Sequence, residues 1–282
     1  MLAAQRRGHI LDEVRRRGSA RVSELAAQFG VSEMTIRRDL DTLVARGALD
    51  KVHGGATSRR TASTDEPGFE SKWLRQQAEK DAIARAAADL VPPGSAIGVS
   101  AGTTTWTLAQ HLRRIPDLTV VTNSMRVADA LRPDDGVERS VVLTGGVRTP
   151  SDALVGPVAV SSLRQLHLDL VFLGVHGIDV TAGFTTPNML EADTNRALVA
   201  AGRRLVVLAD HTKWDTVGLS TIAGLDEADI VISDDGLPPD ARDLLTEYVG
   251  RLILVAATMS NDAVPNEAVP NETSPTSTAG AT

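Results

Sequence analysis

Several short runs in this chain place side chains and backbone groups suited to the same task, the binding of an anion. Gly102 is followed by Thr103, Thr104 and Thr105 at the expected start of a helix. Bare backbone N–H groups, hydroxyl donors and the positive end of a helix dipole together suit a phosphate there. Gly145-Gly146 would let another edge of a ligand approach the backbone. Lys213 is the only lysine after position 80 in a chain that otherwise takes its positive charge from Arg, and a point charge suits a phosphate or a carboxylate. Taken singly, each has an ordinary explanation: Thr-rich helix starts are commonly plain caps, paired Gly plain turns, and a single Lys a solvated surface residue. All of them directly follow β-branched runs, however, and that shared position favours a small anionic, hydroxylated ligand. His176 and His211 flank the same edge and could bond sugar hydroxyls, although a structural role is commoner for such a His. Trp106, Trp214 and Phe184 are expected to pack.

A second chemistry lies near the N-terminus. Ser32 can cap a helix in which Ile36, Leu40, Leu43 and Val44 form the core face. Opposite that face stand Thr35, Arg37, Arg38, Asp41 and Thr42. Arg37 and Arg38 suit contacts with phosphate or guanine, and the first turn of such a helix reaches base edges in a major groove. After Gly47, residues 48–56 read as a short hairpin wing carrying Lys51 and His53 beside that helix. The charge distribution agrees. Residues 1–60 carry 12 Arg and Lys against 7 Asp and Glu, whereas the remaining 222 residues carry 17 against 29, so a head of net +5 is joined to a body of net −12. A merely solvated charged face would not require spacing, charge asymmetry and wing to coincide.

The elements that must position these groups follow from periodicity. In the head, Ile10, Leu11 and Val14 mark one helix, and a second runs from a Ser23 cap through Phe29, with Leu25, Ala26 and Phe29 inward and Gly30 as its stop. The short connection Gly30-Val31-Ser32 gives the spacing of a helix-turn-helix. In the body, apolar β-branched runs at 95–99, 119–122, 141–144, 170–174, 205–209, 230–233 and 252–255 alternate with helical patterns at 78–90, 104–113, 124–131, 191–201 and 239–248. Strands apolar on both faces and separated by helices make an α/β domain with a largely parallel sheet. Such sheets bind ligands outside the carboxyl ends of their strands, which is where Gly102, Thr122-Asn123-Ser124, Gly145-Gly146 and Lys213 fall.

Composition narrows the alternatives. With no Cys among 282 residues and six His lacking helical metal-ligand spacing, no metal site and no cofactor are expected. No apolar stretch is long enough for a membrane helix and the Arg-rich N-terminus is unlike a signal peptide, so a cytoplasmic protein without a membrane partner is expected. The expected organisation is a winged helix-turn-helix over 1–57, a linker over 58–76, the α/β domain over 77–258 and a disordered tail over 259–282.

The run Val31-Ser32-Glu33-Met34-Thr35-Ile36-Arg37-Arg38-Asp39-Leu40, followed by Val52-His53-Gly54-Gly55-Ala56, resembles the N-terminal signature of the DeoR family of bacterial transcriptional regulators. The body is similar to that family in the same register, through Ala101-Gly102-Thr103-Thr104, Thr122-Asn123-Ser124, Thr144-Gly145-Gly146, Gly156, Gly177-Ile178-Asp179, Glu191-Ala192, Ala209-Asp210 and Lys213. The resemblance implies an effector domain like ribose-5-phosphate isomerase in fold, and a repressor of a sugar or carbon catabolic operon relieved by a phosphorylated sugar. It implies a phosphate loop of Gly102, Thr103, Thr104 and Thr105 with Asn123, Gly145, Gly146 and Lys213 nearby, and Asp179 and Glu191 at the sugar end. Double-stranded operator DNA and a homo-oligomer, dimer or tetramer, are the implied partners. One position departs from the pattern: Ser100 stands where the family most often has an acidic residue. The competing expectation is an isomerase-like enzyme acting on sugar phosphates, with Glu191, Asp179 or Asp210 as base. The uncharged Ser100 and the complete head both argue against it.

Overall fold

The computed structural model describes residues 3–17, 19–45, 49–52, 54–58, 64, 68–132 and 136–257. The chain forms two compact units, Met1–Asp65 and Glu66–Thr282. His53, the tail 259–282 and most of 58–67 lie outside the described residues.

The first unit contains α1 (Ala3–Arg17), β1 (Ser19–Arg21), α2 (Val22–Phe29), α3 (Glu33–Ala45), β2 (Leu49–Val52) and β3 (Gly55–Ser58). Ile10, Val14, Leu25, Ala26, Ile36, Leu40 and Leu43 close one apolar core, with Leu49 and Ala56 from the wing. Gly30 ends α2 in the left-handed region at φ 63°, where Gly carries no steric penalty. Two details differ from the sequence reading. Ser23 lies inside α2, whose N-cap is Arg21, because β1 runs straight into the helix and Val22 N donates to Gly54 O at 2.9 Å. The wing has three strands, in the order β1-β3-β2; β1 is only three residues long, with Ala20 alone turned inward.

The second unit opens with α4 (Phe69–Trp73) and α5 (Gln77–Ala88), and then alternates β4 (Ala96–Val99), α6 (Thr103–Leu112), β5 (Leu118–Thr122), α7 (Met125–Ala130) and β6 (Arg139–Leu143). A hairpin of β7 (Val147–Arg148) and β8 (Leu154–Val155) leads to α8 (Pro157–Leu163) and β9 (Leu170–Gly174). There follow β10 (Gly177–Asp179), β11 (Gly183–Thr186), α9 (Met189–Ala201), β12 (Leu205–Leu208), β13 (Ser220–Ala223), β14 (Ile230–Asp234), α10 (Pro239–Tyr248) and β15 (Leu252–Val255). All seven expected strands join one parallel sheet, ordered β15-β14-β12-β9-β4-β5-β6. Alternate residues of each strand serve opposite layers. Leu170, Phe172, Val206 and Leu208 pack under α5 and α6 with Ile83, Leu108 and Leu112. Val171, Leu173, Leu205 and Val207 pack under α9 and α10 with Leu198 and Leu245. The hairpin β7–β8, the antiparallel sheet β10-β11-β13 and the helices α4 and α8 have no counterpart in the sequence reading.

The strand order reverses between β4 and β9, since β5 and β6 extend the sheet one way while β9, β12, β14 and β15 extend it the other. Such a reversal opens a crevice at the carboxyl ends of the strands.

Candidate nucleic-acid interface and anion site

Helix α3 is held by its own cap and by a buried ion pair. Thr35 N donates to Ser32 Oγ at 3.2 Å and the two hydroxyls lie 2.9 Å apart, so Ser32 and Thr35 order the first turn. Ile36, Asp39, Leu40 and Leu43 face inward, and Arg6 Nε meets the buried Asp39 carboxylate at 2.7 Å. The outward face carries Arg37 and Arg38, both exposed. Arg37 pairs with Glu33 at 2.7 Å and Lys51 of β2 with Asp41 at 2.6 Å. Exposed pairs of this kind contribute little, so a nucleic-acid phosphate can replace either carboxylate. Among the described residues Arg38 has no carboxylate partner. Thr42 donates to Arg38 O at 2.9 Å, a bond within its own helix. Met34 is 56% exposed in the first turn; it belongs to neither the periodic core face nor the charged face, yet an apolar side chain there suits a thymine methyl.

In the body, the crevice at the β4–β9 reversal is built from hydrogen bonds between strand-end loops. Ser100, fully buried, accepts from Gly174 N at 2.9 Å and so joins β4 to β9. Asn123 Oδ1 accepts from Ala101 N at 2.9 Å and its Nδ2 donates to Leu154 O at 3.3 Å, so its amide holds the loop before α6 against the β7–β8 hairpin. The first backbone bond of α6 runs from Trp106 N to Gly102 O. Among the described residues the amides of Thr103, Thr104 and Thr105 therefore have no backbone acceptor, and all three residues are buried. Thr105 Oγ1 turns back to Gly102 O at 3.2 Å. Gly145 and Gly146 have φ of 73° and 122°. A Cβ at Gly146 would lie 2.5 Å from Val155 O, so that glycine is required by the hairpin itself.

At the ends of β12 and β14 a second group of polar residues gathers. Asp210 Oδ1 accepts from Thr212 N at 3.1 Å and from the Thr212 hydroxyl, which sets the turn bearing Lys213. Lys213 is half-buried, and among the described residues its ammonium has no hydrogen-bond or carboxylate partner. His211 Nδ1 lies 2.6 Å from Asp234 Oδ2, and that hydrogen bond holds the His211 pKa above its ordinary value. Burial pushes the Asp234 pKa up, but its bonds to the His211 side chain and backbone outweigh that and hold it below its ordinary value. Lys80 of α5, absent from the sequence reading, is buried beside this group, and Asp210 and Lys213 are the first charges to act on it.

The two residues expected at the sugar end are placed differently. Glu191, in the first turn of α9 behind its Asn188 cap, accepts from Ser151 and Thr149 hydroxyls through Oε1 and from Thr186 Oγ1 through Oε2. Three hydroxyls thus converge on one half-buried carboxylate. Asp179 closes the turn after β10 by accepting from Thr181 N and Ala182 N at 2.8 and 2.7 Å; among the described residues no hydrogen bond or ion pair joins it to the other residues of the crevice. A groove of about 780 Å³ also runs between α8 and α9, lined by Val160, Leu163, Ala197 and Ala200. Arg164, His167, Asp193 and Arg196 also line it, and none of the strand-end residues named above does.

Comparison with known proteins agrees across both units. The family model described as the DeoR-like helix-turn-helix domain matches residues 6–62, and that of the DeoR C terminal sensor domain matches residues 75–235. A protein of Escherichia coli O157:H7 named for transcriptional repression of the aga operon is 36% identical over 254 residues, 89% of this chain and 94% of that protein. The HTH-type transcriptional regulator YgbI of E. coli K12 is 38% identical over 88% of this chain and 96% of its own length. The glycerol-3-phosphate regulon repressor of E. coli K12 is 30% identical over 88% and 97%. Among solved structures, ribose 5-phosphate isomerase from Plasmodium falciparum is similar at a TM-score of 0.35 and 16% identity, over 50% of this chain and 54% of that one, a likeness too partial to add to the fold described above. Every relative named here that aligns along nearly its whole length is a regulator, and no described helix is long and apolar enough to cross a membrane. The chain belongs to the DeoR family of DNA-binding transcriptional regulators and is not an enzyme.

Proposed function

We propose that this regulator represses an operon of sugar or related carbon catabolism and that a phosphorylated sugar, bound at the strand ends of the body, relieves the repression. The observation that carries the reading is the pairing of an ammonium that has no partner among the described residues, Lys213, with three amides at Thr103, Thr104 and Thr105 that have no acceptor among them, all at the carboxyl edge of one sheet. That pairing suits a phosphate by charge and by donor count. Glu191, with its ring of hydroxyls, suits the polyol end, and Ser100, Asn123, Gly145 and Gly146 shape the loops between. The names of the E. coli repressors of the aga operon and the glycerol-3-phosphate regulon point the same way.

On the DNA side, Arg37, Arg38 and Lys51 serve as phosphate or base contacts around the first turn set by Ser32 and Thr35, with Thr42 further along the same face and His53 in the wing. One such head reads too few bases for strong specificity, so the working form is a homo-oligomer whose paired α3 helices meet half-sites about one helical turn apart. Binding DNA places it in the cytoplasm. A panel of phosphorylated sugars and their unphosphorylated partners, assayed by thermal shift and by release of operator DNA, tests the reading. A ligand at 100 times its dissociation constant adds roughly 2.7 kcal/mol of stability. Stabilisation and operator release by a phosphorylated sugar, absent with its unphosphorylated partner and lost in Lys213→Ala, is the expected result. Equal response to both members of a pair would refute a phosphate-reading site.

A further inference from the structure

Lys80 occupies a core-facing position of α5 with 3% of its surface exposed, on the same side as Ile83, Ala84 and Ala87. A buried ammonium is costly unless its protons are taken up by acceptors. Two are: Nζ donates to Lys72 O at 2.6 Å and to Arg75 O at 2.5 Å, at the carboxyl end of α4 and in the connection to α5. An ammonium has three N–H groups. Among the described residues the third has no acceptor.

The charges around Lys80 are mismatched in the same sense. Burial is the main reason its pKa falls from 10.5 to about 8; Asp210 works against the fall, and Lys213, Lys72 and Arg75 add to it. Asp210 is the acid that favours the charged form, and one of its oxygens already accepts from Thr212. Two lysines thus act on each other at the strand ends, one with a spare donor and the other with no partner. An anion between them would satisfy both.

Helix α4 connects this point to the other half of the crevice. Trp73 and Phe69 pack edge-on against Trp106, with ring centres 4.5 and 6.1 Å apart. Trp106 belongs to the same first turn of α6 whose amides are unbonded. Arg126 lies over the Phe69 ring at 4.0 Å and bonds Glu70 at 2.8 Å. Residues 69–76, read from composition as linker, therefore touch both the amide end and the lysine end of the crevice.

We propose that Lys80 is the second cation of the anion site: its third N–H takes a phosphate oxygen shared with Lys213, while its other two hold the carbonyls of residues 72 and 75. This rests on the phosphate reading above and adds what that site does when filled. The anion ties α4 to the strand ends, and α4 is the first described helix of the body after the head.

The test uses the full chain, inorganic phosphate as probe, and the variants Lys80→Met and Lys213→Met. Titration calorimetry is expected to show phosphate binding weakened roughly tenfold or more in each variant, the effect of one charge-assisted hydrogen bond. Hydrogen exchange on the wild-type chain is expected to slow over residues 69–76 when phosphate is added, a readout that does not depend on either variant folding. Binding lost in Lys213→Met but kept in Lys80→Met overturns the role of Lys80 alone, as does protection of residues 103–106 without protection of 69–76. Binding unchanged in Lys213→Met, or no phosphate binding to the wild-type chain, overturns the phosphate reading and this inference with it.

Discussion

His211 and Asp234 show how far the order of a strand-end loop depends on one pair. Asp234 is almost fully buried and accepts from His211 Nδ1 at 2.6 Å, His211 N at 2.7 Å and Gly236 N at 3.1 Å. The hydrogen bond His211 donates to Asp234 raises the His211 pKa above 6.5 against the opposing effect of burial, while burial of Asp234 is outweighed by its bonds to His211, so its pKa falls below 3.8. A histidine held high contributes stability that is complete below 6.5 and is lost as pH rises through its folded value. An aspartate held low contributes stability present above 3.8 and lost as pH falls through its folded value. The pair therefore supports the fold most between those limits. His211→Asn is expected to cost on the order of 1.5 kcal/mol near pH 6, the low end for a hydrogen bond to a charged group, and progressively less above neutrality. Urea midpoints of both chains across that range check it; a loss independent of pH would contradict the assignment.

At the scale of elements, the three-stranded wing depends on a close approach that only Gly allows. A Cβ on Gly55 would sit 2.2 Å from Ala20 O, so Gly55→Ala forces β1 and β3 apart, at a cost of about 3 kcal/mol, the upper end for overpacking. Hydrogen exchange is expected to rise across residues 3–58 and stay unchanged across 96–255, because the two units have separate cores; equal loss in both would refute that separation. Asp39 makes a second case. Asp39→Ala leaves the Arg6 guanidinium buried without its carboxylate, and the head is expected to lose about 3 kcal/mol, read as a lower melting point of operator binding. A variant that bound operator with unchanged thermal stability would show the pair to be dispensable. These two residues also mark what the sequence could reveal. The inner strands of the parallel sheet were legible because burial on both faces writes them as apolar runs, the edge strands β6 and β15 because their β-branched and aliphatic runs persist although half exposed, and fixing the strand ends located Gly102, Asn123 and Lys213 as well. Asp39 and Lys80 were not, because periodicity reads any charge as solvent-facing; their burial is decided by Arg6 and by the carbonyls of residues 72 and 75, partners that no local pattern encodes. Helix α4 escaped for a related reason: Phe69 and Trp73 are its only large apolar side chains, and Trp106, their partner, lies far along the chain.

For the whole molecule, the division of charge decides how DNA is met. The body, at net −12, repels a polyanion, and the head, at net +5, must supply the attraction. Binding that replaces counterions with Arg and Lys falls linearly in log affinity against log salt, with a slope of about −0.9 for each phosphate neutralised. Arg37 and Lys51 rest on Glu33 and Asp41; if those carboxylates are exchanged for phosphates on the operator, as proposed above, Lys51→Ala makes the slope about 0.9 shallower. Arg38, which has no carboxylate partner among the described residues, distinguishes two modes of contact. If it neutralises a phosphate, Arg38→Ala weakens binding to every sequence alike and the slope changes by the same amount. If it reads a guanine edge, the variant loses about 1–3 kcal/mol on the operator, little on unrelated DNA, and the slope is preserved. Arg38 follows directly on the N-terminal turn that reaches base edges, close enough for a long side chain to join it, which favours the base-edge outcome. Fluorescence anisotropy with operator and scrambled duplexes over a salt series gives both numbers from one set of titrations. Unchanged affinity for both duplexes in Arg38→Ala would remove α3 as the recognition helix.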